Sequence, residues 1–137
     1  MRDNDDLHAI DALVTRFYAS FDNTAAPPRQ TDIVSCFADD ARIVRSMPGL
    51  VESYSVDEFV APRLALLDGG GLVGFSEQET SAQTQVFGGI AARTSRYAKS
   101  GVLHGRPYAG SGLKLFQLIR VASGWRISAL AWTDDDG

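Results

Sequence analysis

The chain has 137 residues, 45% hydrophobic and 22% charged, with a formal net charge of −4. That length suits one domain built on one core, and no apolar run approaches the roughly 20 residues that a membrane-spanning helix needs. A negative balance with no Lys/Arg cluster interleaved with aromatics excludes the footprint of a nucleic-acid binder, and the single cysteine, Cys36, excludes an internal disulfide.

The opening "MRDNDDLHAI" is acidic and polar, not a basic stretch followed by an apolar one, so the cytoplasm is the default compartment. The acidic ends, "RDNDD" and "TDDDG", read as solvated termini. Asp134, Asp135 and Asp136 are adjacent carboxylates without the spacing of a preorganised metal cage, and His8 and His104 are far apart with no spaced carboxylate. No metal and no cofactor is expected.

In chain order, Leu7, Ile10, Leu13, Val14, Phe17 and Phe21 recur at three- and four-residue intervals and predict an amphipathic helix over Asp5 to Asp22. "NTAAPPRQ" breaks it, because two prolines remove donors and disfavour helix before them. "TDIVSCF" predicts a short second helix capped by Thr31 or Asp32 and ended by the "ADD" turn, after which "ARIVRS" reads as a strand. Beyond the extended "LVESYS", Ser55 and Glu58 form the signature of a capping box for a helix over "VDEFVAPRLALLD", irregular near Pro62 and ended by "GGG". From Leu72 onward four long antiparallel strands are predicted, with "SGVLHGRPYAG" as a glycine-rich loop between the second and third.

Helix, short helix, strand, helix and four strands make an α+β chain, a single domain over residues 1–137. A strongly curved, mostly antiparallel sheet wrapped around the N-terminal helices leaves a cone open to small ligands. The motifs "VTRFYASFD", "FADDA", "SVDEFVAPRLALL" and "FQLIRVASGWRISALAWTDD", in that order and spacing, resemble the nuclear transport factor 2-like superfamily, in its SnoaL-like and ketosteroid-isomerase-like branch. The resemblance implies the cone-shaped, cystatin-like fold. It does not choose among isomerases, dehydratases, cyclases, epoxide hydrolases and binding domains.

Steroid-isomerase chemistry needs a carboxylate base and an oxyanion hole of a tyrosine and a protonated aspartate. The matching positions here hold Arg45, then Phe17 with Tyr18 beside it, and Gln117. An arginine stays protonated and cannot be that base, so the reaction is rejected. A Ser-His-Asp nucleophile is equally unsupported, and Cys36 has no base partner.

In the register that the resemblance implies, Ala92, Thr94 and Arg96 point into the cone, then Leu115, Gln117 and Ile119, then Leu130, Trp132 and Asp134, with Arg63 reaching in from the third helix. The implied ligand-binding set is Phe17, Tyr18, Phe21, Arg45, Arg63, Thr94, Arg96, Gln117 and Trp132. Three arginines in one cavity need negative charge. Either Glu77 or Glu79 pairs with Arg96 while Arg45 and Arg63 reach solvent, or the guanidinium groups hold a small organic anion. Two function classes follow. One is a SnoaL-like pocket for a small polar or anionic metabolite, with Tyr97, Glu79 or Asp134 moving protons if it is catalytic. The other is an interaction domain with a residual cavity. A homodimer through the outer sheet face is expected under both.

Overall fold

The structure, a computed structural model, describes residues 2–135. The helix α1 (Arg2–Ala19) buries Ile10, Leu13, Val14 and Phe17 of the predicted stripe and leaves Leu7 half-buried, with Tyr18 buried beside the stripe and Phe21 buried just beyond the helix end. It starts earlier than the apolar periodicity does and stops short of Asp22, because the Ser20 hydroxyl donates to the Phe17 carbonyl (2.6 Å) and closes the last turn. The helix α2 (Gln30–Val34) begins at Gln30, with Arg29 at the N-cap and no side-chain cap from Thr31 or Asp32.

Strand β1 (Phe37–Met47) forms a hairpin with β2 (Leu50–Tyr54). The "ADD" segment is a bulge inside β1, not a turn before it: Asp40 has a φ of 61°, and pairing with the last strand jumps from Phe37 opposite Ile127 to Arg42 opposite Ala129. The helix α3 (Val56–Asp68) carries the predicted capping box of Ser55 and Glu58 and runs unbroken through Pro62. One residue beyond the proline, the Arg63 guanidinium donates to the Phe59 carbonyl (3.0 Å), a polar contact made inside the helix's own turn.

Strands β3 (Leu72–Phe87), β4 (Ile90–Leu103), β5 (Arg106–Val121) and β6 (Gly124–Asp134) complete the sheet. The predicted glycine-rich loop is instead a tight hairpin in which Leu103 pairs with Arg106 across His104 and Gly105, both at positive φ (49° and 82°). A two-residue turn with both central residues left-handed matches the twist of paired strands, so β4 and β5 both extend to the turn. The strand order is β2-β1-β6-β5-β4-β3, antiparallel except between β1 and β6. Among the described residues, no helix is long and apolar enough to cross a membrane.

The chain is therefore α+β, with α1 packed on β3 and β6 and α3 packed on β1, β2 and β3. Both helices cover the same sheet face, and the core between them is aromatic: Phe17 meets Phe21, Phe37 and Phe116 edge-on at 5.3–5.9 Å, and Phe59 meets Trp132 at 5.6 Å. Asn23 fixes one corner. Its side chain donates to the Leu67 and Leu72 carbonyls (3.0 and 2.7 Å) and accepts from the Phe75 amide (2.6 Å), tying the end of α3 to the start of β3.

The inner face differs from the predicted register. Ala91, Arg93, Ser95 and Tyr97 face the helices on β4, and Lys114, Phe116 and Leu118 do so on β5, while Ala92, Thr94, Arg96, Leu115 and Gln117 are exposed on the outer face and Ile119 shares that face. The cause is a bulge in β6. Leu118 pairs with Ile127 but Gln117 pairs with Ala129, so Ser128 is skipped. An unbroken ladder would set Leu115 opposite the buried Leu130. The bulge sets Phe116 there instead, and a one-residue slip turns every later side chain to the other face.

Candidate functional site

A cavity of about 310 Å³ opens between α3, the end of α1 and the inner sheet face. Its apolar wall includes Phe17, Phe21, Phe59, Phe75 and Trp132, and its polar groups are Arg45, Arg63, Lys99 and Lys114 with the carboxylates of Glu77 and Asp134. Four cations thus face two anions. The volume lies at the small end of ligand cavities, which run from roughly 300 to 1,000 Å³.

Asp134 is the most heavily bonded group. It accepts from the Tyr97 hydroxyl, from Lys99 (3.2 Å) and from Arg45 (3.0 Å). Burial pushes its carboxyl pKa up, but these three donors outweigh it and hold the group below the usual carboxylate range. For Tyr97 burial and the Asp134 charge act together, raising the phenol well above its ordinary value and keeping it a donor. One glycine makes the arrangement possible. Tyr97 and Lys99 lie opposite Gly112 and Gly110 on β5; a side chain at Gly112 would collide with the Tyr97 hydroxyl and the Thr133 carbonyl, whereas one at Gly110 would approach only the flexible Lys99 side chain.

Lys114 and Glu77 form a second pair at 2.8 Å, with side chains only 6% and 10% exposed. The ammonium also lies over the Tyr97 ring, 3.6 Å from its centroid, and 4.7 Å from that of Tyr18. Burial outweighs these partners and lowers the Lys114 pKa, whereas Lys99, although burial pulls it down, is held above the ordinary value by Tyr108 and Asp134.

Arg63 is different. It stacks on Phe59 (4.1 Å) between Trp132 (5.3 Å) and Tyr54 (5.5 Å), and among the described residues it makes no ion pair within 4 Å. Burial lowers its pKa, opposed by Tyr54 and Glu52, yet a guanidinium stays charged. Arg45 adds a buried Nε that has no hydrogen-bond partner among the described residues.

Of the residues singled out from sequence, Phe17, Phe21, Arg45, Arg63 and Trp132 line this cavity, as does Asp134. Tyr18 does not: it is buried under α1 and shares a hydrogen bond with Ser95 (2.7 Å). Thr94, Arg96 and Gln117 are on the outer face, where Arg96 lies 3.7 Å from Asp135 and Gln117 bonds Ser128. The carboxylates expected beside Arg96 serve other cations. Glu79 binds Arg93 (3.0 Å) and Ser95 (2.6 Å), outside the cavity, and Glu77 binds Lys114. Asp135 also accepts from Ser111 (2.8 Å), and Asp136 lies outside the described residues. His8 and His104 are exposed.

Lys99 and Lys114 were missed by the sequence reading. One signal marked them: the chain has two lysines against eleven arginines, and both lysines line the cavity.

Comparison with solved structures shows the same architecture at low identity. A Kribbella flavida protein superposes with a TM-score of 0.79 at 17% identity, over 97% of this chain and 93% of its own. A nuclear transport factor 2-like superfamily protein from Salmonella enterica gives 0.76 at 14%, over 95% and 91%. The fold is NTF2-like. A Nostoc punctiforme protein of unknown function with a cystatin-like fold gives 0.71 at 18%, over 96% and 92%. No family model matches the sequence, and no curated protein matches it significantly. Within the NTF2-like fold, the chemistry must therefore be argued from this chain's own side chains.

Proposed function

We propose that the cavity is a SnoaL-like pocket that binds a small organic anion carrying one aromatic or similarly flat apolar group. The observation that carries this reading is Arg63: a guanidinium stacked on Phe59 in a largely apolar cavity, with its flanking cations bound to carboxylates and, among the described residues, no carboxylate of its own within 4 Å. A carboxylate ligand would give it one, and Phe17, Phe21 and Trp132 offer faces for a ring. Asp134 is a poor proton acceptor while three donors hold it, so its role is to fix Arg45, Lys99 and Tyr97.

The test is a thermal-shift titration with hydrocinnamate, its neutral amide and a phosphate ester, on wild type, Arg63→Ala and Arg96→Ala. The acid is expected to stabilise wild type and Arg96→Ala saturably, with affinity at least about tenfold weaker in Arg63→Ala, the scale of one lost charge-assisted hydrogen bond. Equal stabilisation by acid and amide, or no shift with any compound, would reject the anion pocket.

We also propose a homodimer through the outer sheet face. Val44, Leu115, Ala129 and Ala131 lie together there beside a shallow depression, and Leu115 is 51% exposed. Light scattering is expected to give a dimer mass for wild type and a monomer for Leu115→Arg. A monomeric wild type refutes it.

A further inference from the structure

The whole chain offers two lysine side chains, and the fold puts both in the cavity, while the other eleven of its thirteen Lys/Arg side chains are arginines. Arginine supplies charge and hydrogen bonds, but its guanidinium is not deprotonated in proteins, whereas a buried lysine amine can lose its proton and become a nucleophile. Of the two, Lys99 is engaged by Asp134 and Tyr108, while Lys114 has one carboxylate, Glu77, at 2.8 Å and otherwise faces aromatic rings.

We propose that Lys114 is a carbonyl-reactive amine and that the anion held at Arg63 is an α-oxo acid, which forms an imine with the Lys114 Nζ. This rests on the anion-pocket reading and adds the reacting group to it. Burial lowers the Lys114 pKa, which favours the neutral amine the reaction needs.

The step balances with the groups present. The ammonium passes one proton to Glu77, and the freed lone pair attacks the ketone carbon as the carbonyl electron pair moves to oxygen. A second proton moves from nitrogen to that oxygen, giving a carbinolamine. Glu77 then returns its proton to the hydroxyl, which leaves as water while the nitrogen lone pair closes the C=N bond. The product is a protonated imine beside an ionised Glu77, with one water released and no change of net charge or oxidation state. The imine would draw electrons from the adjacent carbon, the basis of decarboxylation or carbon–carbon bond chemistry at that position.

The experiment incubates the full chain with phenylpyruvate and sodium cyanoborohydride, followed by intact mass and peptide mapping, with phenyllactate, which lacks the ketone, as the matched acid. Binding of both is measured separately by thermal shift. The expected result is that both acids bind, and that phenylpyruvate alone leaves a single reduced adduct on the Lys114 peptide, formed at least about tenfold faster than on Lys99 or the chain's terminal amine. Excess phenyllactate should slow it. If both acids bind but no adduct forms, or all amines react at one rate, the Lys114 inference is overturned and the anion pocket stands. If neither acid binds and no adduct forms, the pocket reading fails with it. No variant is needed, so a folding defect cannot obscure the answer.

Discussion

Replacing Glu77 with leucine is expected to cost about 3–5 kcal/mol of stability at neutral pH, the scale for removing one partner of a buried ion pair. Lys114 is almost fully enclosed, and its other near neighbours are the rings of Tyr18 and Tyr97, which soften the cost without accepting a hydrogen bond from the ammonium as a carboxylate does. Against a total stability of about 5–15 kcal/mol, such a loss is visible in any urea titration. The pH dependence gives a second check. In the variant, the unfolded chain binds a proton at Lys114 up to about pH 10.4, while the folded chain releases it at lower pH. Between those two values the unfolded state holds more protons, so stability rises with pH, and the penalty is full below the lowered folded pKa. The double replacement Glu77→Leu with Lys114→Met should recover most of the loss, because neither charge remains buried. A single variant that loses under about 1 kcal/mol, with a flat pH profile, would mean that water reaches Lys114 and that the pair is not buried in solution.

The second large effect is expected at Gly112. A methyl group there collides with the Tyr97 hydroxyl and with the Thr133 carbonyl oxygen, and the carbonyl belongs to the sheet backbone and cannot turn aside. Gly112→Ala should therefore cost about 3 kcal/mol, as overpacking does, even after the smaller gain from stiffening the unfolded chain. Tyr97 must withdraw from Asp134, loosening the junction that also holds Arg45 and Lys99. Gly110→Ala is the control. There the added methyl approaches only the flexible Lys99 chain, 3.2 Å from its Cε, so the change should stay within about 1 kcal/mol. Equal losses for the two variants in denaturant titrations would show that crowding around Tyr97 is not what requires glycine at position 112.

Both sites depend on contacts between strands, and that is where sequence reading lost its footing. The stripe of α1, the Ser55 capping box and the division of the last half into four strands follow from spacing within one segment, so they were legible. Arg45, Arg63 and Trp132, expected to face the cone, line the cavity, Arg63 from its helix and the others from their strands. The inner residues of β4 and β5 were not, because both faces of those strands mix apolar and polar residues: Lys114, Phe116 and Leu118 alternate with Leu113, Leu115 and Gln117. Neither set announces which side is buried.

What this sequence determined by itself is the α+β order, because hydrophobic period, caps and turn residues act over a few neighbouring positions, while the NTF2-like architecture was implied by the resemblance of its motifs in their order and spacing. Only the tertiary structure decided which charges of β4 and β5 enter the cavity. One skipped residue at Ser128 sets the register between β5 and β6, the hairpin at His104 and Gly105 carries that register on to β4, and Lys114 and Tyr97 turn inward in place of Leu115 and Arg96. A bulge trades a local break in pairing for better packing of distant side chains, and that balance exists only once the strands have met.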